Sequence, residues 1–168
     1  FFPTAGHAAA WGVFVAGVLE VILVAGDASK QGALPKFRWP SFDVEVKGYR
    51  YYWSFKYPNG VLAVDTLRAP VDQVMKLTVT APDFDVIHSW WIPALGGKFD
   101  AIPGTTNVTW FNANAPGIYR GQCAEFCGIQ HTNMRGSVEA VPREEFDAWL
   151  EREARAQADG TSGLGRET

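Results

Sequence analysis

Two cysteines, two histidines, a methionine and a glutamate gather in two short stretches of this chain. The segment CAEFCGIQHTNM reads CxExCxxxHxxM over Cys123, Glu125, Cys127, His131 and Met134, and His88 lies upstream in DVIHSWW. Soft sulfur ligands beside imidazole select copper, zinc or an iron–sulfur cluster. Two thiolates can bridge two copper ions, leaving one histidine terminal on each metal, with Met134 and the Glu125 carbonyl as weak axial donors. Such a centre passes single electrons and breaks no bonds. The thiols must lose their protons to bind, so metal loading releases protons and its affinity rises with pH.

Other chemistry is open to the same residues. A Cys123–Cys127 disulfide suits an exported domain, and a tetrahedral zinc site can be drawn from His88, Cys123, Cys127 and His131. Neither gives Met134 a part. A mononuclear blue copper site takes two histidines, one cysteine and a weak methionine, and leaves the second cysteine unexplained.

The elements that must hold these ligands read as strands. Between Pro35 and Pro142 short apolar and polar alternations are split by turn signals. FDVEVKGYRYYWSFKY, then PNG, then VLAVDTL predicts strand, turn, strand, because Asn59-Gly60 is a strong hairpin signal. QVMKLTVTA and TTNVTWFNA alternate in the same way, and Ala115-Pro116-Gly117 turns the chain into GIYRGQ. Several short strands at regular spacing predict an all-β Greek-key sandwich or barrel. His88 then comes from one strand region and the other ligands from a loop joining two late strands. Met75 reads as core. Residues 143–156 predict an amphipathic helix with Phe146, Trp149 and Leu150 inward, followed by a disordered tail.

With these residues in view, the chain resembles subunit II of the haem-copper cytochrome c oxidases, which carries the binuclear copper A centre. DVIHSWWIPALGGKFDAIPG, PGIYRGQCAEFCGIQH and the closing FDAWL are similar to that family in residue type and order, over about residues 42–150. The resemblance implies a cupredoxin-like fold, with Cys123 and Cys127 as bridges, His88 and His131 as terminal ligands, and Met134 and the Glu125 carbonyl as axial donors. It also implies that the Glu125 side chain shares a magnesium ion with subunit I, a hard cation that suits a carboxylate. Cytochrome c would deliver the electron, haem in subunit I would receive it, and oxygen would be reduced there with coupled proton translocation. The family's electron-accepting tryptophan aligns with Tyr51, with Trp53 as an inward neighbour, and Asp83 and Asp85 are candidates to meet a basic donor. Lys98, Asp100 and Pro103-Gly104 match the family near subunit I, whereas Thr105 replaces an arginine common there. Two further classes use similar chemistry: a nitrous-oxide-reductase-like copper A domain, and a copper-binding module with no electron-transfer role. The first needs a large propeller domain that this sequence does not contain.

The expected organisation is a membrane span with its flanks over 1–29, a linker over 30–41, the copper domain over 42–142, a helix over 143–157 and a tail over 158–168. Residues 8–25, AAAWGVFVAGVLEVILVA, carry a single charge and are long enough for a transmembrane helix. A signal peptide would want a basic start and a cleavage motif. The family has two spans, and the missing initial Met favours removal of a preceding segment. Glu20 falls about 8 Å below the outer surface of such a span, on the wrong side for proton uptake from inside, and reads as a carboxylate facing subunit I or the interface. The expected location is the bacterial cell membrane, with the copper domain outside. The sequence contains 47% hydrophobic residues and seven tryptophans, enough for a sizeable core. Nine Lys and Arg balance nine Asp and Glu over 37–142. No basic patch is interleaved with aromatics, which argues against nucleic acid. The only cysteines are the two candidate ligands, so no CxxCH haem attachment exists in this sequence.

Overall fold

The computed structural model describes Trp11, residues 13–20, Leu23 and residues 42–162. The chain divides into two units, Phe1–Phe37 and Arg38–Thr168. In the first, the described residues are helical and exposed. Among the described residues no helix is long and apolar enough to cross a membrane. The expected span over 8–25 lies partly, and the linker over 30–41 wholly, outside the described residues.

The second unit is all-β with one closing helix, as the alternating patterns predict. Strands β1 (Phe42–Tyr49), β2 (Tyr52–Lys56), β3 (Leu62–Val64), β5 (Val74–Thr80) and β8 (Asn107–Asn112) form a five-stranded sheet in the order β3-β2-β1-β5-β8. Its β1–β5 pair is parallel and the others antiparallel. A second sheet, β4-β10-β9, takes β4 (Thr66–Pro70), β10 (Arg135–Val141) and β9 (Gly117–Gln122). The short pair β6 (His88–Trp90) and β7 (Phe99–Ala101) completes the strands. Alternate residues turn inward, as the two-residue strand period requires. Val44, Val46, Met75, Leu77 and Val79 from the first sheet share one apolar core with Leu67 and Val138 from the second.

Two predicted strands are each divided. The run over 42–57 folds back at Arg50-Tyr51 into the β1–β2 hairpin, with Gly48 opposite Trp53 and Tyr49 opposite Tyr52. The buried positions record this as a change of phase, even-numbered at Val44 and Val46 but odd-numbered at Trp53 and Phe55. The run over 61–67 breaks at Asp65, whose φ of 56° is left-handed, a region that Asp tolerates better than most residues. Asp65 anchors the break: its carboxylate accepts the Trp53 N–H at 2.9 Å, and its carbonyl accepts the Ser137 N–H at 2.9 Å. The chain thereby leaves β2 in one sheet and joins β10 in the other.

The C-terminal helix (Arg143–Ala158) begins after Pro142 with Glu144 and Glu145 in its first turn, where acids complement the helix dipole. Phe146 is fully buried against Phe42, while Trp149 and Leu150 pack at the core's edge. The guanidinium of Arg68 lies 5.5 Å from the Trp149 ring. Gln157 bonds both the N–H and the carbonyl of Leu62, at 2.9 and 2.8 Å, capping the edge strand β3. The helix closes through Asp159 and Gly160, and residues 163–168 of the expected tail lie outside the described residues.

Candidate metal centre

His88 opens β6, whereas Cys123, Glu125, Cys127, His131 and Met134 all lie in the connection between β9 and β10. These two strands are antiparallel neighbours, so the connection starts and ends at one place. The Cys123 N–H donates to the Met134 carbonyl at 2.9 Å and closes its base. The Gln122 N–H to the Trp91 carbonyl (3.2 Å) and the Ala124 N–H to the Ser89 carbonyl (2.9 Å) fasten this loop to the segment bearing His88. Gly121 permits that approach, because a Cβ there would lie 2.1 Å from the Trp91 oxygen. A short 3-10 turn, His131–Asn133, then aims His131 and Met134 back at the cysteines.

The side chains meet. The Cys123 and Cys127 sulfurs are 3.9 Å apart, with no disulfide. His88 Nδ1 is 4.0 Å from Cys123 Sγ, and His131 Nδ1 is 3.4 Å from Cys127 Sγ. Met134 Sδ lies 3.8 Å from Cys127 Sγ, and the Glu125 carbonyl lies 3.2 Å from Cys123 Sγ. His88, Cys123, Cys127 and Met134 are buried, and His131 is half-buried. Donor atoms of His88, Cys123 and Cys127 fall within 4.8 Å of one another.

Charge in this site calls for a cation. Burial, and then the neighbouring Cys123, push the Cys127 thiol up to about 12. A thiolate at Cys127 is therefore unfavourable here without metal, and a metal that binds there must displace its proton. Burial also lowers His88, against the opposing pull of Asp85, so its ring is neutral near pH 7 and can ligate. The donor set fits a pair of soft cations: two sulfurs in mutual reach, one imidazole beside each, and one weak donor beside each.

Around this centre, Asp85 Oδ1 lies 3.3 Å from His88 Nε2, the ring nitrogen turned away from the cysteines. A carboxylate so placed fixes the tautomer of a metal-bound imidazole. Burial would raise the Asp85 carboxyl, but the N–H groups of Val86 and Arg50 and the His88 ring hold it below the usual carboxylate range. Asp85, a candidate to meet a basic donor, has a side chain only 4% exposed and paired with Arg50. Asp83 is exposed. Tyr51 is half-buried against the ligand loop: Gly128 has φ 126°, and a Cβ there would lie 2.7 Å from the Tyr51 hydroxyl. Trp53 has no exposure and so offers no surface to a partner; it stands edge-on to His88 at 6.1 Å and to Trp90 at 5.1 Å. The Glu125 carboxylate turns to Lys98 at 3.4 Å, and Lys98 also lies 3.9 Å from Asp100.

Sequence reasoning passed over Phe126 and Ile129, which are 78% and 93% exposed beside the ligands. Large apolar residues inside a ligand loop, off any strand alternation, were the signal. It also passed over Arg50, which sits in an aromatic run and reads there as an ordinary solvated charge.

Residues 60–141 match the family model described as cytochrome c oxidase subunit II, periplasmic domain. Cytochrome c oxidase subunit 2 of Alkalihalophilus pseudofirmus is 42% identical over 109 residues, 64% of this chain and 31% of that protein. The protein of the same name from Synechocystis is 39% identical over 148 residues, 88% of this chain and 42% of its own length. The chain thus spans less than half the length of these two curated relatives. Among solved structures, the periplasmic domain of subunit II of cytochrome oxidase (CoxB) of Bradyrhizobium japonicum is similar with a TM-score of 0.66 and 32% identity. That match covers 70% of this chain and 96% of the Bradyrhizobium domain.

Proposed function

This chain belongs to the subunit II family of the cytochrome c oxidases, and we propose that it is the electron-accepting subunit of such an oxidase. In this reading the residues of the site would hold a binuclear copper A centre able to accept single electrons from cytochrome c. Haem in subunit I would be the acceptor, with oxygen reduction and proton translocation belonging to that subunit. The observation that carries the reading is the pair of sulfurs 3.9 Å apart, each with its own imidazole nitrogen within 4.0 Å.

Cys123, Cys127, His88 and His131 would hold the copper pair, with Met134 and the Glu125 carbonyl as weaker donors. When bound, the copper pair supplies a one-electron redox couple. The chain supplies the rest. Cys123 and Cys127 are buried, which keeps water from the sulfurs, and the hydrogen bonds from Gln122 and Ala124 hold the two ligand segments in fixed relation. A scaffold that need not rearrange favours fast transfer.

The donor would approach over Tyr51 and Gly128, with Asp83, Phe126 and Ile129 on the surrounding surface. The Glu125 carboxylate would reach a magnesium ion at the boundary with subunit I. The domain would be cupredoxin-like and lie outside a bacterial cell membrane, with residues 8–25 as its span.

The deciding experiment is copper stoichiometry with electron paramagnetic resonance on the oxidised full chain, loaded with copper in a mild detergent. Two coppers sharing one unpaired electron are expected. One copper, or zinc retained in preference, would return the site to blue copper or to a structural metal.

A further inference from the structure

Arg50 occupies the turn between β1 and β2, far in sequence from any ligand, yet it is joined to His88 through a single carboxylate. Its Nε donates to Asp85 Oδ1 at 2.9 Å, and its backbone N–H donates to Asp85 Oδ2 at 3.1 Å. The Val86 N–H adds a third bond to Oδ1 at 2.8 Å. His88 Nε2 is the fourth polar neighbour, at 3.3 Å. Asp85 is thus held at both oxygens, with its side chain only 4% exposed, while Arg50 remains 44% exposed at the rim.

We propose that Arg50 is a positioning residue for the metal centre, clamping Asp85 onto His88 and cancelling the carboxylate's charge so as to set the site's reduction potential. The proposal rests on the reading of the site as a binuclear copper centre. The physical argument concerns sign. An uncancelled carboxylate beside a metal ligand favours the more positive, oxidised metal pair and lowers the potential. A guanidinium without its carboxylate does the opposite. Because the Asp85 side chain is nearly closed off from water, its charge is screened less than that of an ordinary surface carboxylate, although Arg50 itself stands at the rim. Arg50 fixes the carboxylate's direction as well as its charge, because its side-chain Nε–H and its backbone N–H grip different oxygens.

The test is a redox titration of the copper-loaded full chain in detergent, for the parent, Arg50→Gln, Asp85→Asn and the double variant. The parent's copper count and resonance spectrum are recorded first. If these fail, the copper reading itself has failed, separately from the clamp. Arg50→Gln should lower the potential and Asp85→Asn should raise it, each by up to about tenfold in the reduction equilibrium, about 59 mV for one electron. The double variant should return toward the parent, and the histidine hyperfine couplings should change in both single variants. Single variants that shift in the same direction, or by less than about twofold with unchanged couplings, would overturn the proposal. If Arg50→Gln does not hold two coppers, the double variant decides. Recovery of loading would mean that an exposed Asp85 charge was the damage, whereas continued failure would make Arg50 a folding residue and refute the clamp.

Discussion

Replacing Gly121 by alanine should pull the two ligand-bearing segments apart. A Cβ on Gly121 would lie 2.1 Å from the Trp91 carbonyl oxygen, 2.5 Å from Ile92 Cδ1 and 3.0 Å from the Trp91 carbonyl carbon. Unstrained non-bonded contacts sit near 3.5–4.0 Å between carbons, so β9 and the Trp91 segment must part by roughly 1 Å. Two of the obstructing atoms are backbone and cannot rotate away. Overpacking of this kind costs about 1–3 kcal/mol. Losing the Gln122 to Trp91 hydrogen bond adds about 1 kcal/mol. The expected loss of about 2–4 kcal/mol is a large fraction of a typical domain's 5–15 kcal/mol. Urea unfolding of the metal-free full chain in detergent measures it, with Gly97→Ala as control, because nothing lies within 4 Å of a Cβ there. The control should stay within about 0.5 kcal/mol of the parent. Copper loading reports the second consequence, since the same displacement moves His88 Nδ1 away from Cys123. A Gly121→Ala chain as stable as the control, and still binding two coppers, would refute the claim that this contact sets the ligand spacing.

Met134→Leu should keep two coppers but shift the reduction potential, because an axial thioether tunes it; an unchanged titration would remove Met134 from the ligand set. Phe146→Ala should cost about 3–5 kcal/mol in urea unfolding, since the ring is fully buried against Phe42 and Tyr57. A side-chain bond from Arg68 holds the Glu139 carboxyl below its ordinary 4.5. The resulting stabilisation is present above pH 4.5 and lost as pH falls through the lower folded value. Urea midpoints between pH 6 and pH 3 should show that loss, and Arg68→Gln should flatten it. Tyr51→Ala should slow second-order reduction by cytochrome c in stopped flow by at least severalfold. An unchanged rate would place the donor elsewhere.

Much of the strand pattern was legible because one-sided burial imposes a two-residue period, as in Met75, Leu77 and Val79 along β5. The breaks were harder to read. The phase change between Val46 and Trp53 is visible in the sequence, but aromatic residues on both sides of Arg50-Tyr51 conceal it. Nothing local marks Asp65 as the point where the chain changes sheets, because its left-handed backbone is held by Trp53 and Ser137, which are distant in sequence. Helix positions 146, 149 and 150 were readable from their spacing, and Phe146 is the one among them that is fully buried.

By itself the sequence determined which donor atoms exist and which could converge. Two thiols, two imidazoles and a thioether carry their chemistry with them, and four of the five sit in one loop whose length limits their separation. Tertiary structure alone decided how His88 joins them, through backbone bonds from Gln122 and Ala124 to a different strand region. It also turned Asp85 from a surface acid into the partner of a buried ring, and gave Arg50 the task of holding it. Long-range contacts of that kind cannot be read from spacing, because their energy depends on burial and on which charge the fold brings alongside.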